Sequence, residues 1–163
     1  NLYDPFLLND MQKLVDRILK AKENNEKVCI YGDYDVDGIT SVTVLKSFLE
    51  ERGLEVAEYI PNRLEEGYGL NTEALKKLKE EGVSLVITVD CGISCAKEVE
   101  YAKEKGIEII VTDHHEIPFE EKDGQREYYQ VAYILHDENT IKREFGVYQK
   151  VKDNFPKFVI ETS

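Results

Sequence analysis

Three short apolar segments, residues 28–30, 85–89 and 107–111, each run into acidic or histidine side chains, and this recurrence constrains the fold. Helix-like segments lie between them, and this alternation predicts a parallel sheet with helices on both faces. Because the carboxyl ends of parallel strands share one edge of the sheet, the side chains that follow these strands should meet in one crevice. Those side chains are Asp33, Asp35, Asp37, Asp90, Asp113, His114 and His115.

The predicted fold class is therefore α/β, with three layers and a mainly parallel sheet of about six strands between helices. Strands are expected at residues 27–32, 55–60, 85–89, 107–111 and 157–161, and another after a turn at Asp123 and Gly124. Helices are expected at residues 5–22, 41–51, 72–81, 94–105 and 137–151, with Ser94 as an N-cap and Gly53 as a C-cap. A chain of 163 residues has the length of a single domain, here residues 1–163.

The charge balance limits the classes of function. A net charge of −12 argues against non-specific nucleic-acid binding, which needs a basic surface, but not against an enzyme that meets phosphate through metal ions. No apolar run has the length needed to cross a membrane, and the beginning of the chain lacks a signal-peptide pattern. Three cysteines argue against a disulfide framework. We therefore expect a cytoplasmic monomer without a membrane partner.

The segment YGDYDVDGIT, which follows the first predicted strand, sets three carboxylates at every second position. Carboxylates this close repel one another unless a cation lies between them, and oxygen ligands suit Mn²⁺ or Mg²⁺. With histidines at the same edge, the pattern predicts one or two ions that activate water for phosphoryl transfer. The alternative is structural: Asp35 or Asp37 caps the next helix. Asp90 and Asp113 would then cap strand ends, and His114 would be a surface residue.

The cysteines suggest a different metal. Cys91 and Cys95 are four residues apart and, together with His114 and His115, are a conceivable zinc set. Their spacing matches no zinc-finger pattern, and Cys29 lies inside a predicted strand. The expected role of all three cysteines is therefore that of small buried side chains.

The motifs GDYDVDG, VDCG and TDHH, in this order and spacing, resemble those of the DHH phosphoesterase superfamily. Within it, the loop YIPNRLEEGYGLN is similar to that of the RecJ-like exonucleases. That family degrades single-stranded DNA from 5′ to 3′ in bacterial repair and recombination. The resemblance covers about residues 1–118 and implies single-stranded DNA as the partner of the parent family.

The resemblance also implies a set of site residues. Two Mn²⁺ or Mg²⁺ ions would be held by Asp33, Asp35, Asp37, Asp90, His114 and His115. Among these, Asp90, His114 and His115 are implied to be catalytic. Asp113 opens the DHH motif and would support the site rather than ligate an ion. Arg63 and Tyr68 lie in the RecJ-like loop, and neither is assigned a role.

Residues 121–163 differ in character from the DHH-like segment, residues 1–120. The pieces QVAYIL, TIKREFG and KDNFPKFVI are similar to the nuclease-like C-terminal region of a prokaryotic family of AAA-type ATPases. The fourth metal-binding motif and second domain of the RecJ-like family are not found in this sequence. These features predict an engineered chimera in which a strand–helix–strand segment is grafted onto the first part.

The expected function follows from that interpretation. The chimera would be an α/β scaffold with a partial two-metal phosphodiesterase site, little or no activity and no partner of its own. The alternative is an active Mn²⁺- or Mg²⁺-dependent 5′-to-3′ exonuclease for single-stranded DNA, that is, a truncated natural homologue. A phosphatase for small phosphoesters or dinucleotides is a third hypothesis, against which the RecJ-like loop speaks.

Overall fold

The computed structural model describes residues 4–7, 10–62, 66–115, 119–122 and 125–128. Strands alternate with helices along most of this length. In chain order the elements are a 3₁₀ helix Pro5–Leu7, α1 Met11–Glu23, β1 Lys27–Gly32, α2 Val36–Glu50, β2 Glu55–Tyr59, α3 Thr72–Glu80, β3 Val83–Val89, α4 Ala96–Glu104, β4 Glu108–Thr112, β5 Phe119–Lys122 and β6 Gln125–Tyr128.

Four of the strands form one parallel sheet in the order β2-β1-β3-β4. Side chains alternate between its faces, so that Val28 and Ile30 of β1 lie in one apolar core and Cys29 and Tyr31 in the other. Helices α1 and α2 supply the first core, and α3 and α4 supply the second. The predicted α/β class, with a parallel sheet between two helix layers, is confirmed.

The number of strands differs from the prediction. Within the described residues the parallel sheet has four strands, and β5 and β6 form a separate antiparallel pair. The two residues between β5 and β6 are Asp123 and Gly124, where the turn was predicted. Strand β5 was not predicted, because FEEK contains a single strong β-former, Phe119. The predicted helix 137–151 and strand 157–161 lie outside the described residues.

Helix boundaries differ where local hydrogen bonds or backbone angles decide them. Helix α1 begins at Met11 rather than at residue 5, because Asp10 has a left-handed φ of 57°. The N-cap of α4 is Cys95, so the prediction of Ser94 as the N-cap is wrong. Cys95 makes no side-chain capping bond. Gly53 has a φ of 82°, as expected for a residue that ends a helix.

Among the described helices, none combines the length and the apolar character that a bilayer crossing requires.

An ion-pair network attaches α1 to the sheet. The guanidinium of Arg17 donates to Glu26 Oε2 at 2.7 Å and also pairs with Glu108 at the start of β4. The same Glu26 oxygen accepts from Ser84 Oγ of β3 at 2.9 Å. The hydrogen bond from Arg17 is the main reason that the pKa of Glu26 lies below its ordinary value.

This network predicts part of the response to acid. Because the folded-state pKa of Glu26 is lowered, its stabilisation is present above the ordinary value of 4.5 and is lost as pH falls through the folded pKa. We expect Glu26→Gln to be less stable than the wild type at neutral pH and to lose less stability on acidification below about pH 4.5. Urea unfolding between pH 7 and pH 3 measures this difference.

The matched control is Glu23→Gln, which removes an exposed carboxylate at the end of α1. It should follow the pH dependence of the wild type. Parallel pH curves for wild type and Glu26→Gln would contradict the role given to the Arg17–Glu26 pair.

Candidate metal centre

The register of the strands sets the position of the centre. Gly32, the last residue of β1, pairs with Val89 at the end of β3, and Val89 pairs with Thr112 at the end of β4. The next residue along each strand is an aspartate: Asp33, Asp90 and Asp113, respectively. Three acidic side chains therefore leave the sheet at one level of its carboxyl edge. The site lies where the chain order around β1 reverses, which is the usual place for a ligand in this kind of sheet.

Asp90, His114 and His115 form the tightest group of possible ligands. Their ligand atoms all lie within 4.8 Å of one another. The side chain of Asp90 is 7% exposed, and those of His114 and His115 are 46% and 47% exposed, so the group is open to solvent on the histidine side. The structure thus brings together the three residues that the resemblance implied to be catalytic.

Asp90 has an unusual backbone conformation and an unusual carboxylate environment. Its φ of 59° is left-handed, a conformation that costs energy for a residue with a Cβ, and its amide donates to Thr112 O at 3.0 Å. His114 Nε2 lies 2.7 Å from Asp90 Oδ1, yet this buried oxygen has no aligned hydrogen-bond partner among the described residues. Burial raises the pKa of Asp90, the charge of Asp35 raises it further, and His114 opposes this change. A cation would satisfy the unpaired oxygen.

Asp113 orients His115. Its carboxylate is 1% exposed, with Oδ2 accepting from Ile93 N at 2.9 Å and Oδ1 from His115 N at 3.1 Å. The ring nitrogen His115 Nδ1 lies 2.6 Å from the same Oδ1. This bond raises the pKa of His115 and fixes the proton on Nδ1, which leaves Nε2 as the nitrogen available to a metal ion.

The three aspartates that follow β1 occupy different places. Asp33 is buried, and its Oδ1 accepts from Tyr34 N at 2.8 Å. Asp35 is exposed and is the N-cap of α2, since its Oδ1 accepts from Gly38 N at 2.9 Å. Asp37 is exposed in the first turn of α2, and no contact among the described residues joins its carboxylate to the cluster. The capping alternative is therefore confirmed for Asp35, which is not a member of the group formed by Asp90, His114 and His115 in the described residues.

Two glycines allow the backbone to pass close to the centre. A Cβ at Gly38 would lie 2.4 Å from the carbonyl oxygen of Asp33, so no larger residue fits in this turn of α2. Gly92 has a φ of 109°, and a Cβ there would lie 2.9 Å from Thr88 Oγ1. These contacts give a physical reason for the glycines in the GDYDVDG and VDCG motifs.

Tyr68 is a site residue to which the sequence analysis assigned no role. Its hydroxyl lies 3.4 Å from His115 Nδ1 and 3.5 Å from Asp90 O, and burial raises its pKa. The sequence feature that could have indicated a role for Tyr68 is its position between Gly67 and Gly69, whose φ angles are 78° and 81°. Arg63, from the same loop, lies outside the described residues.

The cysteines do not contribute ligands to this group. Cys29, Cys91 and Cys95 are buried and free. Burial raises the pKa of all three thiols, that of Cys29 to about 12, so they remain protonated at neutral pH. Within the described residues the metal-capable cluster contains no cysteine, which removes support from the zinc alternative.

The donor set agrees with an oxygen-preferring divalent ion. It combines carboxylate oxygens with imidazole nitrogens, a mixture that suits Mn²⁺ and, with fewer nitrogens, Mg²⁺. Asp90 Oδ1, which has no aligned hydrogen-bond partner among the described residues, and Nε2 of His115 are the atoms that this arrangement offers to an ion. The centre therefore has the chemistry expected of a metal-dependent hydrolase.

Comparison with known proteins gives a family match. The profile of the DHH family, N-terminal domain, matches residues 27–139. The single-stranded-DNA-specific exonuclease RecJ of Bacillus subtilis (strain 168) is 48% identical over 116 residues. That alignment covers 71% of this chain and 15% of the relative, so the chain spans only a small part of that protein. The family match continues past residue 120, the expected junction of a chimera.

Two solved structures are similar in fold. A crystal structure of exonuclease RecJ bound to manganese superimposes with a TM-score of 0.64 at 36% identity, over 71% of this chain and 30% of that one. RecJ from Thermus thermophilus, in complex with Mn²⁺, gives a TM-score of 0.57 at 31% identity, over 67% and 15%. Neither the chimera interpretation nor the resemblance to AAA-type ATPases gains support from these comparisons.

Asp35 caps α2 and also places a negative charge near Asp90. Two variants of the metal-free protein separate these two effects. Asp35→Ala removes the cap of α2 and should lower the free energy of unfolding by about 1 kcal/mol. Asp35→Asn keeps a capping side chain and removes a charge that faces Asp90, so it should be as stable as the wild type or slightly more stable. Thermal unfolding in the presence of a chelator measures both. An equal loss of stability in the two variants would contradict this account.

Proposed function

Since this chain belongs to the DHH family, we propose that it carries the metal-binding part of a RecJ-type exonuclease specific for single-stranded DNA. The observation that carries the proposal is the convergence of the in-register ends of β3 and β4 on Asp90, His114 and His115. The relatives are named as exonucleases, and that of Bacillus subtilis as specific for single-stranded DNA, which gives the substrate class that we propose. This chain spans only 15% of that relative, so the activity of the whole relative is proposed for it. Cleavage from the 5′ end is what the resemblance to the RecJ-like exonucleases implies.

The proposed ions are manganese or magnesium. The ligands would include Asp90, His114 and His115, and the family resemblance adds Asp33, Asp35 and Asp37, whose carboxylates lie outside this group in the described residues. A bound divalent ion supplies a nucleophilic water at neutral pH and neutralises charge on the phosphate that is attacked.

The residues of the chain prepare this chemistry in identifiable ways. Asp113 keeps the proton of His115 on Nδ1 and so presents Nε2 to the crevice. Gly38 allows the first turn of α2 to contact the backbone of Asp33, which holds the acidic segment against the end of β1. The buried Asp90 carboxylate is directed to the same point by its left-handed backbone.

The acidic surface shapes how DNA would bind. With a net charge of −12, the chain lacks the overall basic character that gives strong non-specific affinity. A phosphate would approach these carboxylates only when cations screen them. We therefore propose that the affinity for DNA depends strongly on the divalent ion.

We do not propose that the chain is an inactive engineered scaffold. That expectation depended partly on a junction near residue 120, whereas the match to the DHH family spans residues 27–139 and so extends past that position. The active alternative from the sequence analysis is therefore preferred.

The first test is calorimetric titration of the metal-free protein with Mn²⁺. We expect saturable binding, reduced at least about tenfold in Asp90→Asn, because a ligand is weakened while the side chain keeps its size and its tolerance of a left-handed φ. Asp16→Asn, on the exposed side of α1, is the matched control and should bind like the wild type. Absence of Mn²⁺ binding in the wild type would overturn the proposed metal centre.

The second measurement uses a 5′-phosphorylated single-stranded oligonucleotide with Mn²⁺. Release of mononucleotides by the wild type, lost in Asp90→Asn and retained in Asp16→Asn, is the expected result. Equal hydrolysis by Asp90→Asn would show that the activity arises elsewhere. Binding of Mn²⁺ without any hydrolysis would limit the proposal to a metal site and refute the exonuclease activity of this chain.

A further inference from the structure

We propose that Tyr68 is a positioning residue whose phenolic hydrogen is donated to a phosphate oxygen of the DNA strand bound at the metal centre. This inference rests on the proposed function and adds a contact to the substrate that the DHH, VDCG and acidic motifs do not contain. It follows from the way the loop at residues 66–71 is held, from the hydrogen bonds already made at the centre, and from the exposure of the Tyr68 ring.

The loop is held in place by hydrogen bonds of buried and partly buried side chains. Tyr31, at the inner face of β1, donates its hydroxyl hydrogen to Gly69 O at 2.9 Å. Asn71 Nδ2 donates to the hydroxyl oxygen of Tyr31 at 3.2 Å and to Glu66 Oε2 at 3.1 Å. Glu66 also accepts from Tyr59 OH at 2.6 Å. Both ends of the short loop are thus attached to the sheet, which gives Tyr68 a defined position.

The two glycines direct Tyr68 toward the centre. Gly67 and Gly69, on either side of the tyrosine, have left-handed φ angles that glycine adopts without steric cost. A Cβ at Gly69 would lie 2.9 Å from Cys95 Sγ, which shows how closely the loop approaches the residues before α4.

The phenolic hydrogen has no short acceptor among the described residues. Its nearest partners are His115 Nδ1 at 3.4 Å and Asp90 O at 3.5 Å, whereas O–H donors normally lie about 2.7–2.8 Å from an oxygen acceptor. His115 Nδ1 carries its own proton, because it is 2.6 Å from Asp113 Oδ1, and so it cannot accept from Tyr68. The hydroxyl group therefore remains available as a donor beside the metal ligands.

A phosphate oxygen is the acceptor that fits the position of the Tyr68 hydroxyl beside the metal centre. Tyr68 is 47% exposed, so a ligand can reach its hydroxyl from solvent. A phosphate drawn to the centre by divalent ions would bring anionic oxygens next to this neutral donor. Hydrogen bonds to charged acceptors contribute more than those between neutral groups. A phenol can provide this contact without competing with Asp90 for the ion.

A purely structural role for Tyr68 is also conceivable. Its ring meets that of His115 edge to face, with 6.1 Å between centroids and 80° between planes. Tyr68→Phe keeps this ring contact and removes only the hydroxyl. The variant therefore separates packing from hydrogen bonding.

The experiment measures binding of a fluorescent, 5′-phosphorylated tetrathymidylate to the Mn²⁺-loaded protein by anisotropy. The first linkage is a phosphorothioate, which slows hydrolysis, and its Rp and Sp isomers are used separately. We expect Tyr68→Phe to weaken binding of the isomer that keeps oxygen at the contacted position by about tenfold, with a smaller effect on the other isomer. Its affinity for Mn²⁺ should equal that of the wild type.

Tyr101→Phe, which removes a hydroxyl from α4, is the matched control and should change neither affinity. Equal oligonucleotide affinity in wild type and Tyr68→Phe, or an equal loss for both isomers, would overturn the inference while the metal centre stands. A wild-type protein that binds Mn²⁺ but not the oligonucleotide would also overturn it. A wild-type protein that binds no Mn²⁺ would overturn the proposed function itself.

Discussion

The pairing of β1 with β3 is the interaction on which the rest of the structure depends. Both strands are covered on their two faces, and their almost continuous apolar sequence is what such central parallel strands require. Their register ends with Gly32 opposite Val89, so the residues after them leave the sheet side by side. A shift of one residue would bury one set of acidic side chains and turn the others to the wrong face. The core packing therefore also fixes the metal ligands.

At the carboxyl edge of the sheet, residues depart from the usual preferences for backbone angle, hydrogen bonding of buried oxygens and separation of like charges. Asp90 has a backbone angle that favours glycine, and one of its oxygens is buried without an aligned partner among the described residues. Negative side chains from β1 and β3 lie close enough for Asp35 to raise the pKa of Asp90. Each feature costs stability in the absence of a ligand, and natural proteins concentrate such costs at functional sites. The positions of these exceptions locate the centre independently of any motif.

Much of this was predictable because apolar runs and the residues after them are local features. The strands β1, β3 and β4 and the meeting of Asp90 with the DHH motif follow from sequence patterns alone. The start of α2 was placed too late because Asp35 was weighed mainly as a ligand, whereas its hydrogen bond to Gly38 begins the helix five residues earlier than expected. Tyr68 escaped prediction because its role depends on contacts with β1 and α4 that no local pattern encodes.

The order of the strands has a consequence for how the protein folds. Asp33 follows β1 and His115 follows β4, and both come into position only after the three connections β1 to β2, β2 to β3 and β3 to β4 have closed. Such non-local pairings form slowly, so the centre is complete only when β4 docks at the edge of the described sheet. An ion that binds only the assembled centre would stabilise this late step, by about 2.7 kcal/mol at a hundredfold excess over its dissociation constant. The availability of metal would then govern how often the edge strand opens, and hence the lifetime of the folded chain.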